Sequence, residues 1–457
     1  MSIRNAAPEL AAVTLPLLPE AAPDAIVALH GHETIRRDRF VRELCALAAR
    51  LPAGRPLLNL CGDRYHFALG LFAGIVQGNL SLLPNSTAEG NLAALQADYP
   101  DLVCLTDDAH SAGALPALRL DTLLAALPAD AATPAMPQIP AQQRVACVFT
   151  SGSTGRPQPH FKTFGKLVRN VRAQARRTWS TTGGPCAVLG TVPFQHMYGL
   201  ESTVLLPVLG GGILCAPRPY YPADVAEQLA RLPEPRFLVT TPYHLRNLLA
   251  SGIAIAPVAG LLSATAPLAN ELARHAEARL QAPLLEIYGS TETGQIATRR
   301  PALEDLWLLH DDIRLACEGD DCFVDGGHLE ARLRLGDVVE PVADGRFRLL
   351  GRHADLINVA GKRSSLGFLN HMLLRLPGVR DACFCLPREG ETARLAAFVV
   401  APGLSAATIL AGLRQQVDAV FLPRPLVFVD QLPRNATGKI PAAELEALIA
   451  RHITRKP

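Results

Sequence analysis

Four short stretches of the chain bring small, hydroxylated and charged residues together where chemistry could be done. The first is Phe149-Thr150-Ser151-Gly152-Ser153-Thr154-Gly155-Arg156-Pro157, which follows an apolar run at 145–149. Its glycines let the backbone come close to a phosphate, and its hydroxyls and successive N–H groups are donors for one. It is not the common P-loop, since GxxxxGK followed by Ser or Thr occurs nowhere in the chain. The second stretch is Glu286-Ile287-Tyr288-Gly289-Ser290-Thr291-Glu292-Thr293-Gly294. Hydroxyls beside one carboxylate suit a phosphate together with a hard cation such as Mg²⁺. The third joins Leu335-Gly336-Asp337 to Gly351-Arg352-His353-Ala354-Asp355, with Gly361-Lys362-Arg363 beyond it. The fourth is Leu432-Pro433-Arg434-Asn435-Ala436-Thr437-Gly438-Lys439-Ile440. Taken singly, each of the last two reads better as a charged surface loop or turn.

An alternating scaffold is needed to position these stretches. Residues 145–149 predict a buried strand, and 164–179 a helix with Leu167, Val168, Val171 and Ala175 on one face. Strands are expected at 187–192, 237–240, 260–263 and 284–288. Thr241-Pro242 supplies an N-cap and first-turn proline for one helix, and 268–280 predicts another. Such alternation implies a largely parallel sheet covered by helices. Beyond 308 the pattern shortens, and Asp325-Gly326-Gly327 and Asp344-Gly345 are hairpin signals, so a small antiparallel β subdomain is expected over 308–350. A Pro/Ala-rich linker is expected near 127–140, and a compact α+β region after Gly351. The expected fold class is therefore α/β.

Composition removes whole classes of function. The 457 residues include 44 Lys+Arg against 42 Asp+Glu, a net charge of +2 without a basic block, which argues against a nucleic-acid partner. The most apolar stretch, 203–217, is interrupted by Pro207 and Gly210-Gly211-Gly212, so no membrane insertion is expected. The N-terminus lacks the basic head and apolar run of a secretory signal, and a cytoplasmic location is expected. Ten cysteines occur without a CxxC; Cys317-x4-Cys322 and Cys383-x-Cys385 lack the partners of a zinc site. Free, mostly buried thiols are the expectation.

In this order and at these separations, the four stretches resemble the core motifs of the adenylate-forming superfamily: acyl- and aryl-CoA synthetases, nonribosomal peptide adenylation domains and luciferases. The resemblance covers roughly 145–440. It implies a large N-terminal acid- and ATP-binding domain over 1–350, a hinge at 351–354, and a smaller mobile C-terminal domain over 355–457. It further implies that a small carboxylic acid attacks the α-phosphate of ATP, giving an acyl-adenylate and pyrophosphate, and that a phosphopantetheine thiol then takes the acyl group. By the same resemblance Thr150, Ser151, Gly152, Ser153, Thr154 and Gly155 would hold the β- and γ-phosphates. Tyr288, Gly289, Ser290 and Thr291 would line the nucleotide, Thr291 touching the α-phosphate. Glu292 would hold Mg²⁺, and Asp337 and Arg352 the ribose. Ala264, Thr265 and Ala266 would line the adenine and acid pocket with His196, Tyr198, Gly199 and Gly289; His196 gates the pocket in this reading. Lys439 would bridge carboxylate and α-phosphate. A compact ammonium on a Gly-flanked loop suits a charge that must arrive and then leave.

Two positions depart from the family pattern. Gln158 stands where a Lys is usual, with Lys162 the nearby candidate to replace it, and Ala354 stands at the usual hinge Asp or Lys. These leave a degenerate nucleotide- or acyl-adenylate-binding protein as the alternative of another class, against which Glu292, Arg352 and Lys439 speak. The short N-terminal region, His196 with Tyr198, and small residues at Gly199, Ala264 and Ala266 favour an aryl acid. In these features the chain most resembles the stand-alone aryl-acid ligases of aryl-polyene and xanthomonadin-type pigment clusters, which load a hydroxybenzoate-like starter onto an acyl carrier protein. An aryl- or short-chain acyl-CoA ligase, with CoA as acceptor, is the alternative within the class.

Overall fold

The computed structural model describes residues 13–84, 87–108, 115–125, 132–150, 158–319, 321–352, 356–359, 362–387, 394–435 and 440–453. Among these, two mixed sheets dominate. The larger has eleven strands, with a parallel centre in the order Leu284–Ser290, Gly260–Ser263, Arg236–Thr240, Ala187–Gly190, Ile213–Cys215 and Ile26–His30. The smaller has six strands, parallel except for Gln158–Thr163, which runs back along Arg144–Thr150. Ala187–Gly190 and Gly260–Ser263 in that centre are buried along their whole length, as parallel strands covered on both faces must be.

The covering helices follow from apolar spacing and local capping. Helix Phe164–Thr182 buries Leu167, Val168, Val171, Ala175 and Thr178 on one stripe and ends at Gly183 in the left-handed region. Helix Pro242–Ala250 starts where the Thr241 hydroxyl accepts from the His244 N–H. The expected helices and strands from 145 to 288 are all present, with ends displaced by a few residues.

Two expectations divide differently. Residues 308–350 do not make one separate sheet. Ile313–Glu318, Asp321–Gly326 and Leu333–Arg334 form a three-stranded antiparallel unit, whereas Asp337–Pro341, Arg346–Arg352 and Trp307–Leu309 extend the eleven-stranded sheet. Local alternation marks a strand but not the sheet it joins. Within the Pro-rich stretch expected as a linker, Gln138–Pro140 is a strand paired with Thr14–Pro16. The free-thiol reading also needs correction. Eight described cysteines lie outside any disulfide, seven of them buried, but Cys317 and Cys322 form one. Their hairpin register sets them directly opposite, with Cα atoms 4.0 Å apart. A disulfide is uncommon in reducing compartments, so this pair lends no support to the cytoplasmic expectation.

The C-terminal region has its own cores around Asp381–Cys385 and Ala396–Val400, which pair antiparallel, and Leu426–Phe428, which adds in parallel. No helix among the described residues is long and apolar enough to cross a membrane.

One buried cation ties the two large sheets together. Arg64 opens helix Arg64–Val76, which follows a strand of the smaller sheet, and its side chain is wholly buried. The guanidinium donates to the carbonyls of Cys215 (2.6 Å) and Pro217 (2.9 Å) and to that of Gly190 (2.8 Å), at strand ends of the larger sheet. It also lies over the Phe194 ring. Removing it strands two buried acceptors, at Cys215 and Gly190, each costing about 1–3 kcal/mol, and a partly buried third at Pro217. Arg64→Met is therefore expected to lower unfolding free energy by about 3 kcal/mol or more, read from urea denaturation. Arg64→Lys should rescue little of this, because one ammonium cannot span three diverging carbonyls; full rescue by Lys would contradict the fork geometry.

Candidate active site

Loops from both sheets meet at one point. The glycine-rich stretch lies between Arg144–Thr150 and Gln158–Thr163, whose register pairs Thr150 with Gln158. Ser151, Gly152, Ser153, Thr154 and Gly155 fall outside the described residues; the strands at either end are described. The Thr150 hydroxyl lies 2.9 Å from His160 Nε2, and that nitrogen lies 3.8 Å from Glu292 Oε1. Burial lowers the His160 pKa, so the contact with Glu292 is not a full ion pair at neutral pH. Gln158, His160 and Lys162 alternate onto one face of the strand, as i, i+2 and i+4 must. Lys162 thus shares the face of Gln158, where the cation usual in the family is missing. Its buried ammonium donates to the Glu292 carbonyl at 2.7 Å.

The partner loop is the turn joining Leu284–Ser290 to Gly294–Arg299, which carries Thr291 and Glu292. Thr293 Oγ1 accepts from the Ser290 N–H (2.9 Å), and Ser290 Oγ from the Thr293 N–H (3.2 Å), so the turn is closed by reciprocal side-chain bonds. A Cβ on Gly289 would stand 2.1 Å from the Gly294 carbonyl oxygen. Only glycine permits that strand crossing. Burial works to raise the Glu292 pKa, but the Ser290 hydroxyl, its own backbone N–H and the nearby Lys162 charge outweigh it and hold the carboxyl below its ordinary value.

Tyr288 and Asp337 are also brought together, the phenol donating to Asp337 Oδ2 at 2.7 Å. Asp337 and Arg352 are directly opposed across Asp337–Pro341 and Arg346–Arg352, which makes the two expected ribose residues cross-strand neighbours. The residues expected to line the acid pocket sit at or beyond the carboxyl ends of the parallel strands, where open α/β sheets bind ligands. His196 precedes the short helix Met197–Gly199 and is half-buried. The Tyr198 side chain is tethered. Its hydroxyl lies 2.9 Å from the Thr240 carbonyl and 3.0 Å from that of Leu262, which fixes the ring against two strand ends. Gly199 serves packing, since a Cβ there would lie 2.0 Å from the Pro193 carbonyl oxygen. Ala264 is buried, and Ala266 half-buried. Thr265 lies at φ 79°, a conformation that costs a β-branched residue about 1–3 kcal/mol and is characteristic of ligand-binding turns.

Lys439 lies outside the described residues. The chain leading to it is anchored by Arg434, whose guanidinium makes a two-pronged bond to Asp381 (2.8 Å to each oxygen). On the far side Ile440 packs against the core built around Phe398.

With that geometry in view, the family model described as "AMP-binding enzyme" matches residues 82–312, and "AMP-binding enzyme C-terminal domain" matches 369–439. The chain belongs to the AMP-binding enzyme family. It is 32% identical over 294 residues to a 4-coumarate–CoA ligase of Rhodobacter capsulatus, covering 64% of this chain and 73% of that protein. It is 28% identical over 387 residues to a sulfoacetate–CoA ligase of Cupriavidus necator, covering 76% and 73%. Its fold matches ATP-bound MatB from Rhodopseudomonas palustris with a TM-score of 0.79 at 19% identity, over 94% of this chain and 97% of that one. The fold is thus that of the acyl-CoA synthetases, with a large N-terminal and a smaller C-terminal domain.

In this AMP-binding enzyme the Thr291–Glu292 turn rests on a buried polar cluster that the motifs did not reveal. His328 Nε2 donates to the Thr293 carbonyl at 3.0 Å, and burial pushes its pKa down to about 4, so the ring is neutral. Glu201 accepts from the Asn170 amide, and a Cβ on Gly294 would collide with both side chains. The only signals in the sequence were a carboxylate in the otherwise uncharged run at 200–209 and a lone histidine after two glycines. Burial raises the Glu201 pKa from 4.5 to about 7, against the pull of Lys162 and the Asn170 bond. Between those two values the folded state keeps a proton that the unfolded chain releases. Stability should therefore fall as pH rises through that interval, by roughly 3 kcal/mol at most. Glu201→Gln is expected to abolish this loss; urea midpoints measured across the interval check it, and parallel curves for both proteins would overturn it.

Proposed function

We propose that the chain activates a small carboxylic acid with ATP, forming an acyl-adenylate and then a thioester. What carries the reading is the convergence at Glu292, where the hairpin of one sheet and the turn of the other meet through His160 and Lys162. Attack of a carboxylate on a triphosphate brings two anions together, and fixed donors and cations must offset that repulsion. A carboxylate oxygen forms a bond to the α-phosphorus as the bond to the bridging oxygen breaks and pyrophosphate leaves. A thiolate then attacks the acyl carbon and AMP departs.

Roles follow residue by residue. The backbone and hydroxyls from Thr150 to Gly155 bind the β- and γ-phosphates, and Thr291 donates to the α-phosphate. Glu292, held ionised and half-exposed, fits Mg²⁺ with the oxygen donors that a hard cation requires. The ion would shield phosphate charge. Asp337, steadied by Tyr288, and Arg352 take the ribose, while Ala264, Thr265 and Ala266 border the adenine and acid. His196 guards the acid pocket, and Lys439 arrives from the C-terminal domain for adenylation. Residues 351–354 serve as the hinge for its departure, Ala354 bending without a polar bias toward either pose. Lys439→Ala is expected to reduce adenylate formation at least 100-fold, of the order of removing a single electrostatic donor (~10²–10³). Transfer from supplied acyl-adenylate should survive; equal loss of both half-reactions would overturn the two-pose scheme.

For the acid and acceptor, we infer a hydroxybenzoate-like aryl acid and the phosphopantetheine thiol of an acyl carrier protein, in the cytoplasm, as in pigment-type aryl-acid ligases. The Tyr198 ring, fixed against two strand ends beside small residues, supports a short flat pocket. The relatives named as CoA ligases favour the second reading, in which CoA is the acceptor. One experiment separates them: benzoates, coumarate-like acids and short fatty acids are offered with ATP, Mg²⁺ and either CoA or a holo-carrier, and intact masses are recorded. A carrier heavier by a hydroxybenzoyl group is expected, and acyl-CoA alone would establish the second reading. If labelled pyrophosphate never enters ATP with any acid, activation itself fails.

A further inference from the structure

A cluster outside the phosphate loops has the chemistry of a metal site. The end of strand Ile26–His30 brings His30 against the start of helix Arg64–Val76, where Asp63 is the N-cap. Asp63 Oδ1 accepts from the N–H groups of Tyr65 (2.8 Å) and His66 (3.1 Å), while Oδ2 lies 3.5 Å from His30 Nε2. The His30 ring stacks on Tyr65 at 5.0 Å and meets the His66 ring edge-on at 4.9 Å. One ligand atom from each of His30, Asp63 and His66 lies within 4.8 Å of the other two.

We propose that His30, Asp63 and His66 bind one divalent first-row transition ion, for which zinc is the probe. Two imidazoles and a carboxylate are a donor set for such ions. With metal–ligand bonds of about 2.0–2.2 Å, the edges of a tetrahedral site measure roughly 3.3–3.6 Å. The 3.5 Å between His30 Nε2 and Asp63 Oδ2 falls on that edge, and it exceeds the ~2.7–2.9 Å of a charge-assisted hydrogen bond. A supporting shell is already built. Asp107 Oδ2 lies 3.0 Å from His66 Nδ1, which fixes the tautomer and leaves Nε2 to ligate, as carboxylates do behind metal-bound histidines. Asp107 is itself held by the N–H groups of Gly62 (2.8 Å) and Asp63 (3.0 Å). The negative charges of Asp63, Glu33 and Glu43 all act on His30, so the local field favours a cation. Side chains 20–30% exposed at His30, Asp63 and His66 give an ion access and leave room for water as a further ligand. Bound there, the ion would clamp a hairpin of the larger sheet to a helix of the smaller one.

The test uses the full chain, stripped with chelator and titrated with Zn²⁺ by calorimetry and with Co²⁺ by visible absorption, without ATP or acid. One equivalent of zinc should bind, raise the unfolding temperature, and give cobalt bands of nitrogen and oxygen ligation without thiolate charge transfer. His30→Ala and the volume-conserving His66→Gln should each remove that binding, and Asp107→Asn should weaken it about 10–100-fold. Circular dichroism reports whether each variant is folded, and His66→Gln carries the test if His30→Ala is not. Zinc binding equal in wild type and the folded variants, or cobalt held through thiolate, would overturn the proposal. Because no substrate is present, that failure would leave the proposed acid activation standing.

Discussion

A buried ammonium bonded to a backbone carbonyl, Lys162 to Glu292, is the contact on which the site depends. The glycine-rich hairpin belongs to the six-stranded sheet and the Thr291–Glu292 turn to the eleven-stranded one, and neither sheet can bring its loop to the other unaided. Burial lowers the Lys162 pKa, while the carboxylates of Glu201, Glu330 and Glu292 act to keep it charged. A buried charge is expensive to maintain, and removing its partner is more expensive still, so such a contact fixes an arrangement more than it strengthens a fold. Arg64 does the same some distance away, with three carbonyls in place of one.

Rigidity is concentrated under the turn. His328, Glu201, Asn170 and Lys162 come from four different elements and crowd against residues 292–294. Their groups meet backbone as well as side chains, so the turn is held in large part through its own peptide groups. The same logic explains Gly289 and Gly199, where a neighbouring carbonyl occupies the space of a Cβ. Preorganised donors matter most where charge develops in a site shielded from water.

The C-terminal side is built differently. Arg434 and Asp381 hold the approach to Lys439 through a partly buried two-pronged pair, and Ile440 anchors the exit in a separate core. Anchors on both sides suit the role proposed for Lys439, an ammonium needed for only one half-reaction.

Much of this was legible in the residues alone. Periodicity and caps located the helices and strands from 145 to 288, because spacing and capping are local properties of the chain. The four motifs led to the family because phosphate chemistry needs glycines, hydroxyls and carboxylates at fixed separations. Sheet membership was not legible: residues 308–350 alternate like any antiparallel segment, yet part of them completes a sheet begun near residue 26. Nor was the fate of single polar side chains, since Lys162 turns to the Glu292 carbonyl, Tyr198 is tethered, and Cys317 meets Cys322. Local pattern determines which elements form and which chemistry is available. Which side chains touch is decided by contacts between residues far apart in the chain, as from Arg64 to Cys215, 151 positions on, and only the packed tertiary structure contains those.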